Sequence, residues 1–306
     1  MAFTAKDVQA LREQTGVGMM DCKKALQASD GDMEKAIDFL REKGLAAATK
    51  KSGRIAAEGV VLAYNDDKIG VLVEVNSETD FVAKNQVFRD FVLDVAKTIA
   101  EQNPADVEEL KNMTLAGSDR TVIENLQDKI LQIGENMNIR RFIRVEGTCA
   151  TYVHGGGTVG VLVEFDASAE AAATDAFKAM GKDVAMQIAA MNPLYLDPAS
   201  VPADVVEKEK GILLTQLAED PKMANKPEKV KEGIIAGKIQ KYFKEVCLLE
   251  QAFVKDGDMN VSTYIESTAK EIGAAIACKG FTRFAKGEGL EKKEDNFASE
   301  IASMVK

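Results

Sequence analysis

The spacing of apolar and polar positions divides this chain into a helical start, a core alternating strands with helices, a second pair of helices, and a closing strand and helix. At the start, Thr4 followed by Asp7 is a capping signal, and Phe3 is placed to staple Val8. Val8 and Leu11 share a face, so a first helix begins at once and stops near Thr15-Gly16-Val17-Gly18. Helices over about Met20 to Ala28 and Asp32 to Lys43 follow, separated by Ser29-Asp30-Gly31 and closed by Gly44. Ala25, Leu26, Ala36, Ile37 and Leu40 supply their inward faces. Leu45 to Gly53, small, alanine-rich and basic, reads as an exposed connecting helix or linker.

Gly59 to Tyr64 and Lys68 to Val75 flank Asn65-Asp66-Asp67, a hairpin signal. An amphipathic run from Phe88 to Ala100 ends before Asn103-Pro104, because proline disfavours helix in the residue before it. A helix from about Asp119 to Ile133 stops at Gly134. Ile139 to Val153 is rich in β-branched and aromatic residues, and it reaches His154-Gly155-Gly156-Gly157 before a strand from Val159 to Phe165, giving a second hairpin with a glycine-rich tip. After Pro193, Pro198 and Pro202, Asp204 to Ala218 and Glu228 to Lys244 read as helices. Val206, Ile212, Leu213, Leu217, Val230, Ile234, Ile235 and Ile239 can form a seam between them, making an antiparallel arm. Val246 to Leu249 is strand-like, Ser262 is placed to cap a helix to about Ala277, and Phe281 to Lys286 is strand-like. Glu294 to Val305 completes the chain as a helix, striped by Phe297, Ile301 and Val305.

The core contains a repeat. Gly70-Val71-Leu72-Val73-Glu74 recurs as Gly160-Val161-Leu162-Val163-Glu164, 90 positions on, and Asn103-Pro104 recurs as Asn192-Pro193, 89 positions on. Between these ends the first copy carries Thr79-Asp80-Phe81-Val82 and the second the alanine-rich Ala169-Glu170-Ala171-Ala172. A scaffold requirement shared by both copies does not explain a feature present in one. Taken alone, Phe81 also suits a core residue or staple and Asp80 an N-terminal helix charge.

Composition narrows the function. A chain of 306 residues buries a sizeable core and divides into domains. No apolar run approaches a membrane span and Met1 to Lys6 is unlike a signal peptide, so a cytosolic protein is expected. Cys22, Cys149, Cys247 and Cys278 lie far apart and read as small buried hydrophobes. A net charge of −10 argues against a broad nucleic-acid footprint. Lys43 with Lys50, Lys51 and Arg54, and Arg140-Arg141 near Arg144, are the local basic candidates, each also readable as a solvated face. No nucleophile with a base, metal cluster, cofactor fingerprint or P-loop is present. Gly233 to Ile239 is one residue short of a P-loop, and the triple glycine precedes a strand. The lone His154 makes no metal cluster. Glu74 and Glu164 share a repeat position, which favours a structural role. An interaction protein is expected, acting without cofactor or metal. A general adaptor and an acid–base enzyme are the competing classes.

The three N-terminal helices resemble a ubiquitin-associated domain, a fold that usually docks. Thr15-Gly16-Val17-Gly18-Met19-Met20-Asp21-Cys22-Lys23-Lys24-Ala25-Leu26, Thr79-Asp80-Phe81-Val82 and Ile133-Gly134-Glu135-Asn136-Met137-Asn138-Ile139-Arg140-Arg141 together resemble the bacterial translation elongation factor Ts family over essentially the whole chain. The resemblance implies an α+β fold: a helical docking module with linker over 1–53, core halves over 54–144 and over 145–200 with 245–286, an inserted helical arm over 201–244, and a C-terminal helical module over 287–306. It implies a non-enzymatic guanine-nucleotide exchange factor for elongation factor Tu, with Thr79, Asp80, Phe81 and Val82 inserted near the partner's magnesium site. Val17, Gly18 and Met19 would lie in the docking surface, and the arm would serve factor–factor contacts in some members, leaving homodimer formation open. Neither nucleic acid nor membrane is an expected partner.

Overall fold

The computed structural model describes residues 3–66, 68–220 and 226–292 of the chain. The N-terminal bundle is α1 (Ala5–Thr15), α2 (Met19–Ala28) and α3 (Met33–Lys51). Thr4 and Asp7 form the reciprocal cap, and Val8, Leu11, Val17, Leu26 and Leu40 make the bundle's core. Gly44 does not close α3, contrary to the sequence reading. A Cβ there would lie 3.4 Å from the Gln127 carbonyl oxygen, so the glycine admits close approach of another helix while α3 continues. Leu45 to Lys51 is therefore the final turns of α3, and its Ala48 packs on the next core.

The first sheet-and-helix unit contains β1 (Glu58–Asn65), β2 (Ile69–Ser77), α4 (Asp80–Lys84), α5 (Gln86–Gln102), α6 (Val107–Asn112), α7 (Val122–Ile133) and β3 (Met137–Glu146). Its antiparallel sheet runs β1-β2-β3. The expected helix from Asp119 begins instead at Val122, where Thr121 and Glu124 form a capping box. Six-residue α6, capped by Asp106 and anchored by Leu110, is too short to show a helical period in sequence.

The second unit contains β4 (Cys149–His154), β5 (Val159–Ala167), α8 (Ala169–Ala172) and α9 (Asp175–Met191). The arm helices α10 (Ala203–Glu219) and α11 (Glu228–Val246) follow, then β6 (Ala252–Phe253), β7 (Asp256–Asn260), α12 (Val261–Ile272) and β8 (Ile276–Ala285). Its sheet is β4-β5-β8. The apolar run from Ile139 to Val153 is thus two strands in different sheets, separated at Gly147-Thr148.

Several expectations shift here. Val246 to Leu249 is a helix end and a 3-10 turn, and only Cys247 makes a bridge, to Tyr195. Asn260, whose Oδ1 accepts from the Thr263 amide at 2.8 Å, caps α12 in place of Ser262, and left-handed Gly273 stops it before Ala277. Within the arm, Leu213, Leu217, Ile239 and Phe243 are buried, whereas Ile212 and Val230 are exposed. The helix expected over Glu294 to Val305 lies outside the described residues, as does most of the arm's tip.

The repeat is explained by sheet packing. Val71, Val73 and Val75 face the α5 and α7 side, and Val161, Val163 and Phe165 face α9 and α12. Leu72 and Leu162 point the other way, where the two sheets meet around Val61, Cys149 and Phe284. Strands buried on both faces read as continuous apolar runs. Among the described residues no helix is long and apolar enough to cross a membrane.

Candidate functional site

Strand β2 delivers the chain to Ser77, whose hydroxyl donates to the Thr79 carbonyl at 3.0 Å. Thr79 caps α4, its Oγ1 accepting from the Val82 amide at 3.5 Å. Val82 and Ala83 are buried, so α4 is pinned by its inner side. Successive helical residues are rotated by about 100°, and Phe81 consequently stands out into solvent. At 79% exposure it is the most exposed large apolar side chain among the described residues. That excludes the core and staple readings of Phe81, because an exposed ring contributes little to burial energy.

Asp80 is half-exposed and accepts from Lys84 Nζ at 2.6 Å. That hydrogen bond, with the Lys84 and Lys286 charges, holds its carboxyl below the usual aspartate range against the opposing effect of burial, so Asp80 is an anion at neutral pH. Asn85 ends α4 and caps α5 through its side chain, which accepts from the Val87 amide at 2.9 Å.

Phe81, Val82, Asn85 and Val87 share an open depression of about 420 Å³ with Gly16, Gln132 and Ile133. The loop after α1 therefore lies on the same face as the acidic–aromatic element. Gly16 is left-handed, and a Cβ there would meet the Gln132 side chain at 2.5 Å. Of the three docking candidates, Met19 is exposed at 51% and Gly18 faces open space with an ordinary φ of −58°. Val17 differs from expectation: it is buried in the bundle core and positions the loop from beneath. Met20, next to Met19 on α2, is exposed at 65%, and Val87 beside Phe81 is exposed too. Their hydrophobicity alone did not separate them from core residues.

The remaining candidates are structural. At the tip of the β4–β5 hairpin the Gly157 and Thr158 amides donate to the His154 carbonyl, and the Gly156 and Gly157 carbonyls accept from Arg89 and Val61, so the tip is tied into the fold. His154 contacts Tyr152 Oη at 3.0 Å, and no metal cluster is found among the described residues. Lys43 pairs with Asp21, Arg54 with Glu78, Arg140 and Arg141 with Glu74, and Arg144 with Glu146. Each of these five cations is thus paired with a carboxylate of the chain. Cys22, Cys149 and Cys247 are buried and Cys278 is half-buried, the surroundings expected of small hydrophobes.

A family model described as "Elongation factor TS" matches residues 78–288. "Elongation factor Ts" of Syntrophotalea carbinolica is 52% identical over 309 residues, covering 100% of both chains. The proteins of the same name from Clostridium botulinum and Trichlorobacter lovleyi are 50% and 49% identical, covering 99% of this chain and 99% and 98% of their own.

Proposed function

Because the chain belongs to the elongation factor Ts family, we propose that Phe81 is the lever with which it opens the nucleotide site of its partner. The protein is a guanine-nucleotide exchange factor: it binds elongation factor Tu carrying GDP and promotes GDP release, performing no covalent chemistry itself. The observation that carries the assignment is an unsupported aromatic ring, held out from a pinned turn, beside a second exposed apolar loop.

Magnesium in the partner joins GDP to the GTPase through oxygen ligands and compensates the phosphate charge. Wedging Phe81 between elements packed beside that ion removes part of the compensation. Asp80, anionic and adjacent, disfavours phosphate in the disturbed site. Gly18, Met19 and Met20 dock the helical module, and Val17 and Val82 hold the two contact loops from within. By linkage, a factor that weakens GDP is weakened by GDP in the same ratio, so abundant GTP sets the direction of the cycle. The work takes place in the cytoplasm, where translation proceeds.

Release of a fluorescent GDP analogue from elongation factor Tu tests this. Phe81→Ala is expected to slow release about tenfold and Asp80→Ala by a smaller factor, with binding to nucleotide-free partner largely retained. Their thermal midpoints should match the parent, because neither side chain is buried. Parent-like release by Phe81→Ala sinks the assignment.

The arm supports a further reading. Leu213 is buried in its seam, yet Ile212 and Leu214 on either flank and Val230 on the other helix remain exposed, apolar side chains open to contact with a second copy of this chain. Sedimentation should then depend on concentration and lose that dependence in Leu214→Asp. A single monomeric species up to about 100 μM would exclude a useful dimer.

A further inference from the structure

The copy of the repeat that carries Phe81 also carries a clamp that the other copy lacks, and we propose that Glu135 is a positioning residue for exchange, acting by fixing Thr79 and hence the direction of Phe81. The inference rests on Phe81 being the lever.

The two copies correspond element by element. Both sheets shift register at the repeated acid, between Glu74 and Val75 and between Glu164 and Phe165. Thr79 and Ser168 each cap a short helix, and Val82 and Ala171 are each buried two residues into it. Asn85 and Thr174 cap the long helices, which end on left-handed Asn103 and Asn192. From the caps onward equivalent residues are 89 positions apart, against 90 in the strands, so one residue is extra in the first copy. It lies between Ser77 and Thr79, and it is Glu78.

Glu78 is half of the clamp. Its Oε1 accepts from the Asn136 amide at 2.6 Å and from Arg54 Nη1 at 3.3 Å. Glu135 is the other half: Oε1 accepts from Thr79 Oγ1 at 2.6 Å and Oε2 from the Thr79 amide at 3.0 Å. Two chain segments thus exchange carboxylates, and Asn136 Nδ2 ties the second to the Arg54 carbonyl at 2.8 Å. In the second copy, α12 ends on left-handed Gly273 just as α7 ends on Gly134, with two residues before the next strand in each case. Those residues are Ala274 and Ala275, where the first copy has Glu135 and Asn136. The scaffold therefore folds once without a clamp and adds one where the aromatic lever stands.

The physical need is local. A five-residue helix has too few internal hydrogen bonds to hold its own orientation. Val82 fixes one point of α4, and rotation about that point would swing Phe81. A carboxylate that takes the amide and hydroxyl of Thr79 together supplies a second point through charge-assisted hydrogen bonds. Pre-setting the ring reduces the ordering cost when it enters the partner.

The test compares Glu135→Ala, Glu135→Gln, Thr79→Ser and Phe81→Ala in release of the fluorescent GDP analogue from elongation factor Tu at saturating factor. Glu135→Ala should lower the maximal release rate about fivefold to tenfold, and Glu135→Gln, which keeps one acceptor oxygen, by less. Thr79→Ser, which keeps both donors, should retain the rate. Affinity for nucleotide-free partner should stay within about twofold, and deuterium exchange of amides 79–82 should speed up in Glu135→Ala. Read well below the thermal midpoint, a variant that is only less stable keeps its maximal rate, which excludes a merely structural role. A parent-like rate for Glu135→Ala beside a slow Phe81→Ala overturns the positioning role alone, and parent-like rates for both overturn the lever with it. A lowered rate with unchanged exchange at 79–82 overturns the route through Thr79.

Discussion

Glu74→Ala is expected to lose about 3–5 kcal/mol of unfolding free energy, the scale for removing one partner of a buried ion pair. Glu74 is fully buried on the inter-sheet side of β2. Its Oε1 accepts from the Gly287 amide at 2.7 Å, Arg140 Nη1 at 3.0 Å and Asn76 Nδ2 at 3.1 Å, and its Oε2 from Arg141 Nε at 2.6 Å. Arg140 also reaches the Glu288 carbonyl, and Arg141 reaches the Ala285 carbonyl at 3.2 Å while lying 4.3 Å from the centre of the Phe284 ring. This carboxylate therefore joins β3 of one sheet to the end of β8 in the other, and without it Arg140 loses its carboxylate partner and Arg141 keeps only the more distant Glu288 at 3.4 Å. The repeated Glu164 has no such pair among the described residues, so equal sequence position does not give equal work.

The same group sets a pH dependence. Burial pushes the Glu74 carboxyl upward, but the Gly287 amide, Asn76 and Arg141 outweigh it and the net shift is downward. A carboxyl lowered by folding adds stability above its unfolded value of about 4.3 and loses it as pH falls through the folded value. Urea unfolding between pH 7 and pH 3 should therefore fall less steeply in Glu74→Gln than in the parent. A loss below about 1 kcal/mol in Glu74→Ala would mean that water serves the two arginines as well as the carboxylate does.

The second large effect concerns the repeated glycines. A Cβ at Gly70 would lie 2.4 Å from Cys149 Sγ and 2.9 Å from Leu162 Cδ1, and one at Gly160 would lie 2.4 Å from Val61 Cγ1 and 2.7 Å from Leu72 Cδ1. The packing is reciprocal: the leucine of each copy occupies the notch left by the glycine of the other. Overpacking of this kind costs about 1–3 kcal/mol, so Gly70→Ala and Gly160→Ala should each lose stability in that range and the valine variants more. Gly160 is the costlier site, because Val61 is stiff about χ1 whereas the ends of Leu162 and Cys149 can turn aside. In a double-mutant cycle, Val61→Ala should recover part of the Gly160→Ala loss. Simple additivity would show that the notch does not exist in solution.

Local signals were legible where short-range chemistry decides. Thr4 with Asp7, the Asn65-Asp66 turn and the Asn103-Pro104 and Asn192-Pro193 stops act within a few residues, and their elements lie close to where the pattern placed them. Boundaries moved where a distant partner overrode the local signal. Gly44 looked like a stop and proved to be a helix-crossing point. Val246 to Leu249 looked like a strand because it is apolar, but that character serves burial against Leu196 and Tyr195. For the site, the repeat isolated Asp80 and Phe81 by difference, yet apolar character alone did not distinguish exposed Phe81 and Met20 from buried Val17 and Val82.

The sequence by itself determined the duplicated strand-and-helix core, the helical start, the arm and the singular element in one copy, because periodicity, caps and repetition are written along the chain. Only the tertiary structure decided that Gly16 lies beside Phe81, that Glu78 and Glu135 clamp across 57 positions of sequence, and that the repeated glycines face each other's leucines. Those relations depend on which surfaces meet when the core closes, and burial is proportional to area removed from water, whatever the distance along the chain.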